Sequence, residues 1–425
     1  MKTAYIHGII LDGTEDMKPY RGCILTQDDM IEDIIPETIT PEGYQIVDLK
    51  DAYIMPGLIN LHVHLPSTGK PKKKEMDPVK LVQFATSNAI TRKYLDAVCA
   101  KSAKTQLMSG VTTLRTVGGV EDTDAKIRDD ILKGKRVGPR ILSSNMAVSV
   151  PHGHMADSLA YAAKSPEEAV SYVEKIAQGK PDLIKLMITG GVLDATKKGE
   201  PGVVKMKPEI VKAACQKAHE LGYPVAAHVE SSEGVRVALM NGVDTIEHGA
   251  KPDDEILKLF KEKKAALVAT LSPAMPFALF DREISHASEM AQYNGKIVFE
   301  GIIECAKACL ENKIPVGLGT DTGCPFITHY DMWREIYYFS KYCHVSPAFA
   351  LHTATLVNAK IIGIDSMIGS IEKGKCADFL ITKENPLENL QALRSPHMVV
   401  ARGQIFSHPK IHKMENVERV LDTYL

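Results

Sequence analysis

Two histidines separated by one residue follow a strongly apolar stretch of the chain. The stretch covers residues 54–61, and His62, Val63 and His64 come directly after it. Side chains two residues apart on a β-strand project from the same face, so both imidazoles would enter one small space. Two imidazoles on one face are typical of a site for a divalent metal ion. The pair therefore predicts further metal ligands along the chain.

Further residues of metal-binding type lie within or at the end of later apolar stretches. They are Lys185 in 182–189, His228 in 225–229, His248 in 244–249 and Asp321 in 317–323. Each has an ordinary explanation when taken alone: a single histidine is more often a core or surface residue, a strand lysine can reach solvent, and an aspartate beside glycine can cap a turn. Their repeated position near the ends of strand-like runs favours one shared site.

The composition gives the broad class of the protein. The chain has 425 residues, with 51 Lys and Arg against 53 Asp and Glu and a formal net charge of -2. This length is enough for one large domain and a smaller one. A nearly neutral chain argues against nucleic-acid or membrane-surface binding driven by charge. The one dense basic run, 70–74, is followed by Glu75 and Asp77 and is interpreted as a solvated loop.

The cysteines and the N-terminus indicate the compartment. Eight cysteines are scattered along the chain without a C-x-x-C pair, which suits a reducing cytoplasm. Residues 1–13 lack the apolar core of a secretion signal, and no uninterrupted apolar run approaches the roughly 20 residues of a membrane span. We predict a cytoplasmic protein with no membrane and no nucleic-acid partner.

Strand-like and helix-like stretches alternate along the middle of the chain. Helical periodicity is clear in 167–177, 208–221, 254–263 and 290–312. Eight alternations over about 300 residues favour an α/β fold of the (β/α)8 barrel type, with a doubly wound sheet as the alternative. In a barrel the carboxyl ends of all strands meet at one mouth, which would bring the candidate ligands together. The eight strand-like runs are 58–65, 112–117, 141–144, 183–189, 225–229, 245–248, 266–270 and 316–320.

Short strands separated by turns occupy both ends of the chain. Neither group is large enough to form a core easily by itself. Chain termini often lie close together, so the two groups are expected to share one small sheet domain. The strands cover 4–11, 21–25, 30–35 and 44–49 near the N-terminus, and 379–382 and 398–406 near the C-terminus.

Several of these segments resemble the motifs of one protein superfamily. Residues 55–64, the strand lysine Lys185, 245–249 and 319–321 resemble the amidohydrolase superfamily. Within it, they are similar to the branch of prolidase or Xaa-Pro dipeptidase-like metal-dependent hydrolases. The resemblance covers essentially the whole chain.

The resemblance implies an architecture and a binuclear metal centre of the zinc type. A distorted (β/α)8 TIM barrel is expected over 58–365, beside a small β-sandwich domain formed by 1–57 plus 366–425. Two divalent ions, expected to be Zn²⁺, would lie at the barrel mouth. The more buried ion would be bound by His62, His64 and Asp321, the more exposed ion by His228 and His248, and both ions by Lys185.

The resemblance also assigns roles in catalysis. Lys185 would carry a carbamate formed with CO₂, because a protonated ammonium has only donors and is repelled by two dications, whereas a carbamate is an anionic ligand. A hydroxide between the metals would be the nucleophile, and Asp321 would orient it and pass its proton to the leaving amine. His152 and His154, in an H-G-H segment, would hold the substrate carbonyl or the developing oxyanion. A loop histidine pair with no substrate contact is the alternative.

The expected reaction is hydrolysis of an amide bond in a dipeptide of the Xaa-Pro type or in an N-acyl amino acid. Dipeptidase relatives carry an aromatic residue shortly after the fifth-strand histidine, whereas this chain has Glu230. Glu230 would favour a cationic group on the substrate or point away from it. Arg282 and His286, in the long loop 271–290, are candidates to bind a substrate carboxylate.

Other functions are compatible with parts of this pattern. A cyclic amide or lactone could be hydrolysed at the same binuclear centre. A mononuclear deaminase is disfavoured because such enzymes lack the bridging lysine, and a non-catalytic scaffold is disfavoured because it would have lost ligands. We expect a small-molecule substrate and a homo-oligomer.

Overall fold

The computed structural model describes residues 1–39, 41–71 and 77–425. Most of the basic run that was predicted to be a solvated loop lies outside these residues. The described strands are β1 (Lys2–Ile10), β2 (Tyr20–Gln27), β3 (Met30–Ile35), β4 (Gln45–Asp48), β5 (Tyr53–Pro56), β6 (Leu58–Val63), β7 (Val111–Thr116), β8 (Arg140–Ser143), β9 (Ala147–Ser149), β10 (Ala160–Ala162), β11 (Ile184–Met187), β12 (Val225–Val229), β13 (Thr245–His248), β14 (Ala266–Ala269), β15 (Val316–Leu318), β16 (Phe379–Thr382), β17 (Met398–Ala401) and β18 (Gln404–Ser407).

The α-helices lie mostly between the strands of the middle region. They are α1 (Pro78–Thr86), α2 (Ala89–Met108), α3 (Thr123–Leu132), α4 (Pro166–Gln178), α5 (Pro208–Glu220), α6 (Ser232–Met240), α7 (Asp254–Lys263), α8 (Met275–Ala278), α9 (Arg282–Ser285), α10 (Glu289–Glu311), α11 (Met332–Cys343), α12 (Pro347–His352), α13 (Asn358–Ile361) and α14 (Glu415–Leu421). Within the described ranges, no helix is both long and apolar enough to cross a bilayer.

Local sequence signals set where the longer helices begin. Ser165 Oγ accepts a hydrogen bond from Glu168 N at 3.3 Å, and Pro166 occupies the first turn of α4. The Asp253 carboxylate accepts one from Ile256 N at 2.9 Å at the start of α7. These side chains satisfy backbone donors that the first turn leaves unpaired. The helices then bury their apolar faces against the strands they follow.

Among the described residues, eight parallel strands form the barrel, with ladders in β6–β8 and β11–β15. The register between β6 and β7 shifts twice, between Leu58 and Ile59 and between Asn60 and Val63. Two backbone hydrogen bonds link the segment after β15 to β6: Asp321 N donates to His62 O at 2.9 Å, and His64 N donates to Thr322 O at 3.0 Å. On the other side, Asp182 N donates to Ser143 O at 2.7 Å between β8 and β11. The short strands β9 and β10 are added beside β11. The prediction of a distorted (β/α)8 barrel is confirmed.

Strands from both chain ends share one mixed sheet, as predicted. Its strand order is β18-β17-β16-β5-β1-β2-β3, and β4 pairs with β1. Tyr5 of β1 and Phe379 of β16 are buried in its core, with ring centroids 5.5 Å apart at an interplanar angle of 79°. This edge-to-face pair joins an N-terminal strand to a C-terminal one. The domain boundaries at 57/58 and 365/366 stay a prediction.

Gly57 alone separates β5 of the terminal sheet from β6 of the barrel. Gly57 N donates to Asp378 O at 2.9 Å. A Cβ atom at Gly57 would lie 2.1 Å from Thr112 Oγ1, so no larger residue fits without a shift. The strand that carries His62 therefore begins directly where the terminal sheet ends.

Two predicted elements differ from the structure. The single strand expected over 398–406 is a hairpin of β17 and β18, because Arg402 and Gly403 have φ values of 49° and 73° and turn the chain back. Two successive residues with positive φ are typical of a two-residue hairpin turn. The loop expected over 271–290 contains the short helices α8 and α9.

The packing of the terminal sheet can be tested with Phe379→Ala. We expect this change to lower the free energy of unfolding by about 3–5 kcal/mol, because it empties a buried aromatic site against Tyr5. The measurement is urea unfolding followed by circular dichroism. Phe84→Ala is the control, since Phe84 is 66% exposed and should change stability by at most about 0.5 kcal/mol. Similar losses in the two variants would contradict a shared core of both termini.

Candidate active site

The candidate ligands lie in or directly after strands of the barrel, at one mouth. Lys185 lies in β11 and His228 in β12, whereas His62 and His64 lie at and just beyond the end of β6. His248 is the last residue of β13 and has a φ value of 69°. Asp321 follows β15 and has a φ value of 53°. Positive φ is strained for residues with a side chain and is common at functional sites.

The distances show that these side chains converge. Asp321 Oδ1 lies 3.2 Å from His64 Nε2 and 3.5 Å from His62 Nε2. The ring centroid of His248 lies 4.9 Å from that of His62 and 4.6 Å from that of His228. Four imidazoles and one carboxylate thus surround one small volume.

Two groups of three residues in this volume could each hold a metal ion. In each group the nitrogen and oxygen atoms that could bind metal lie within 4.8 Å of one another. The groups share one histidine, so the two candidate positions are adjacent. They are His62, His248 and Asp321, and His228, Glu230 and His248.

Each histidine is held by a hydrogen bond through one ring nitrogen, which leaves the other for a ligand. This arrangement orients the ring and fixes its tautomer, as the outer partners of metal-binding histidines do. The bonds run from His62 Nδ1 to Glu247 Oε2 at 2.8 Å, His64 Nδ1 to Gly118 O at 2.8 Å, His248 Nδ1 to Thr270 Oγ1 at 2.7 Å and His228 Nε2 to Gly190 O at 3.3 Å.

The protonation states suit metal binding. Burial, reinforced by the charge of Lys185, lowers the pKa of His62 to about 4. Burial also holds the pKa values of His228 and His248 well below the usual range. For Asp321, burial opposes ionisation, but the neighbouring histidines outweigh it and hold the pKa well below its usual range. Neutral imidazoles and an ionised carboxylate are the ligand forms of these groups.

Lys185 carries a fully buried amine near the other candidate ligands. The residue is 1% exposed, and its Nζ atom has no hydrogen-bond partner among residues 1–39, 41–71 and 77–425. Burial lowers the pKa of Lys185 to about 8, although the carboxylate of Glu247 opposes the shift. A buried amine left unpaired is costly, so the site fits an additional anionic or ionic group at this position.

Glu247 and Arg115 support the site and were not identified from the sequence. One carboxylate oxygen of Glu247 accepts a hydrogen bond from His62. The other accepts one from Arg115 Nη2 at 2.6 Å, and Glu247 and Arg115 are both buried. Arg115 Nε also donates to Leu61 O at 2.8 Å. Burial opposes the charge on Glu247, but Arg115 and His62 hold its pKa below the usual range. The sequence did contain a signal for these two residues: Arg115 lies inside β7 and Glu247 inside β13, and each strand is otherwise free of acidic and basic side chains apart from His248.

Of the two histidines in the H-G-H segment, only His154 reaches the ligand group. Its ring stacks on that of His228, with centroids 4.2 Å apart, and its Nδ1 atom bonds Asp194 Oδ2 at 2.5 Å. His152 is exposed. The structure therefore separates the two members of the pair.

The three predicted substrate-binding residues lie in different environments. The Glu230 carboxylate is buried next to the candidate ligands, and burial, with repulsion from Asp321, raises its pKa to about 8. Arg282 and His286 are exposed, in and directly after α9, and Arg282 Nε donates to Ala287 O at 3.2 Å. In this conformation the structure does not bring Arg282 or His286 into the ligand group.

Comparison with known proteins identifies the family. The profile of the amidohydrolase family matches residues 53–406. The chain belongs to the amidohydrolase family. This membership confirms the superfamily resemblance and the prediction of a hydrolase that acts on carbon–nitrogen bonds.

Several members of the family are similar over nearly the whole chain. A crystal structure from Bifidobacterium longum, provisionally named a prolidase, is 35% identical, with a TM-score of 0.88 over 100% of this chain and 99% of that one. A structure of a Xaa-Pro dipeptidase with methionine bound in the active site is 27% identical, with a TM-score of 0.83 over 96% and 100% of the chains. Ochratoxinase of Aspergillus niger is 24% identical, over 95% of this chain and 86% of that protein.

The support given by Arg115 can be tested in this amidohydrolase by Arg115→Met. We expect the free energy of unfolding of the metal-free protein to fall by about 3–5 kcal/mol, because the charge of Glu247 is left buried and unpaired. Urea unfolding in the presence of a chelator measures this loss.

Arg92→Met is the matched control for an ion pair. Arg92 bonds both oxygens of Glu121, but their side chains are 45% and 43% exposed. Solvent screens such a pair, so its loss should cost at most about 1 kcal/mol. Equal losses in the free energy of unfolding for Arg92→Met and Arg115→Met would show that the buried ion pair stabilises the protein no more than the exposed one.

Proposed function

We propose that this protein hydrolyses the amide bond of a dipeptide, of the Xaa-Pro type, or of an N-acyl amino acid at a centre of two divalent metal ions. The observation that carries the proposal is the pair of adjacent ligand groups that share His248, together with the buried amine of Lys185, which has no hydrogen-bond partner among the described residues. The named similarity to a Xaa-Pro dipeptidase supports the choice of substrate. We propose a cytoplasmic location and a homo-oligomer as well.

The proposed ligand roles are those that the family resemblance implies, and the convergence of the side chains supports one shared centre. His62, His64 and Asp321 are proposed to hold the more buried ion, and His228 and His248 the more exposed one. Zn²⁺ is the proposed metal, because neutral imidazoles with a carboxylate form a donor set that zinc favours. When bound, such ions polarise a carbonyl and make water a nucleophile at neutral pH.

Lys185 is proposed to bind both ions as a carbamate. Carbon dioxide reacts with a neutral amine, and the lowered pKa of about 8 increases the neutral fraction of this lysine near pH 7. The carbamate would replace an unpaired buried amine with an anion between cations. It therefore removes the cost of burying Lys185 without a partner.

Asp321 is proposed to move the proton. Its carboxylate is ionised at neutral pH and accepts the proton of the attacking water. The water oxygen bonds to the carbonyl carbon, the carbon–nitrogen bond breaks, and Asp321 returns the proton to the leaving nitrogen. The strained backbone at Asp321 and its contacts with His62 and His64 hold the carboxylate in one position.

His154 is proposed to hold the substrate carbonyl oxygen. Its bond to Asp194 fixes the ring, and its stacking on His228 holds it against the ligand group. Three further roles stay predictions. His152 would be a second contact to the substrate carbonyl, and Arg282 and His286 would bind a substrate carboxylate. All three are exposed.

Lys185→Met tests the bridging role. Methionine is unbranched and only one atom shorter than lysine but cannot form a carbamate, so kcat/KM should fall by about 1,000-fold or more, equivalent to about 4 kcal/mol of transition-state stabilisation. Bound zinc per chain should fall with it. Assays with a hydrolysable dipeptide and metal analysis by mass spectrometry provide the two readouts.

Lys375→Met is the matched control for Lys185→Met. Lys375 is also buried, but its amine donates to Ser370 Oγ at 2.5 Å and to Glu372, away from the ligand group. The activity of the Lys375→Met variant per folded molecule should stay close to that of the wild type. Full activity and full metal content in Lys185→Met would refute the bridging carbamate.

The substrate class is tested with a matched panel. Xaa-Pro dipeptides and N-acyl amino acids should be cleaved with higher kcat/KM than lactams and lactones of similar size, by about 100-fold or more, equivalent to about 2.7 kcal/mol. A preference for lactams or lactones would establish the cyclic-substrate alternative. Absence of both metal and activity in the intact protein would favour a non-catalytic scaffold.

A further inference from the structure

Glu230 is a buried carboxylate beside two candidate metal ligands. It directly follows β12, and its ligand oxygen lies within 4.8 Å of the ligand nitrogens of His228 and His248. Its Oε2 atom is buried and has no hydrogen-bond partner in the part of the chain that the structure describes. A buried carboxylate oxygen is costly unless it is paired, so this atom points to a missing partner.

The backbone holds Glu230 in place. Glu230 N donates to Thr189 Oγ1 at 3.1 Å, and Thr189 Oγ1 donates to Gly190 O at 2.9 Å. The loop at Gly202 packs closely on the other side, where a Cβ atom would lie 2.3 Å from Glu230 O. The backbone of Glu230 is therefore held next to His228 by contacts on two sides.

No lysine or arginine of the described residues, 1–39, 41–71 and 77–425, is an ion-pair partner of Glu230. Its nearest ligand-type neighbours are the imidazoles of His228 and His248, which could bind the same ion. A metal ion at this position would therefore pair with the carboxylate oxygen that has no partner among the described residues.

We propose that Glu230 is a third protein ligand of the ion that His228 and His248 hold. Two imidazoles and one carboxylate form a recurrent zinc-binding set, and the carboxylate adds a negative charge that the imidazoles lack. The more exposed ion is then bound tightly by the chain itself. This assignment rests on the proposed function for the presence of that ion, and it replaces the interpretation of Glu230 as a contact to a cationic substrate.

Glu230→Gln tests the assignment because it keeps the shape of the side chain and removes its charge. Metal-free protein is titrated with Zn²⁺ against a chromophoric chelator, which gives the affinities of the two ions separately. We expect the weaker-binding ion to lose affinity by about 100-fold or more, since even outer partners of metal ligands contribute 10–100-fold. The affinity of the other ion should change little. Glu230→Ala should show at least the same loss.

Two further measurements keep the test independent of catalysis and folding. Co²⁺ in place of Zn²⁺ should give a different visible absorption spectrum in Glu230→Gln than in the wild type, because one oxygen ligand is lost. Circular dichroism of the metal-free variants checks that they fold. Glu233→Gln is the control, since Glu233 lies three residues later, is exposed and bonds Arg236; its Zn²⁺ affinities should equal those of the wild type.

The outcomes separate this inference from the proposed function. If the wild type binds two ions and both Glu230 variants bind them equally well, the ligand assignment is overturned while the hydrolase proposal stands. Unchanged metal binding with a selective loss of kcat/KM for cationic substrates would instead establish Glu230 as a substrate contact. A wild type that binds no Zn²⁺ would overturn both proposals.

Discussion

The candidate metal ligands depend on the interactions of one buried carboxylate, that of Glu247. It joins β13 to β7 through Arg115 and to β6 through His62, so three strands from distant parts of the chain meet at one charge. Arg115 extends the link to the backbone of β6 through Leu61 O. Because a buried charge must be paired, Glu247, Arg115 and His62 fix one another, and the orientation of His62 follows from that constraint.

The ligands themselves are placed by the way in which the strands end. His228 lies within its strand, and the pleat alone directs it inward. His248 and Asp321 instead lie where the backbone takes positive φ values of 69° and 53°. Such a conformation interrupts the alternation of side chains and lets a terminal residue turn toward the mouth. The strain is maintained because the surrounding ladders and hydrogen bonds hold both ends of these strands.

Local patterns in the sequence predicted the shared terminal sheet and the residues that converge at the mouth: apolar periodicity, a histidine pair with one intervening residue, and polar residues at strand ends. The same patterns favoured a barrel but left a doubly wound sheet open, and the family resemblance implied the barrel. The pairing of Arg115 with Glu247 could not be predicted in this way, because the two residues are 132 positions apart and meet only after the barrel closes. The different environments of His152 and His154 likewise depend on how one loop folds over the mouth.

The single-residue link at Gly57 connects the strand that carries His62 to a sheet that includes the C-terminal strands. β5 pairs with β16, and Gly57 N donates to Asp378 O, so the C-terminal strands add contacts at the start of β6 to those that β7 provides. During synthesis, every candidate ligand emerges before β16 and Asp378, which contact the link between the two sheets. The terminal sheet is therefore completed only after the residues of the candidate site have been made.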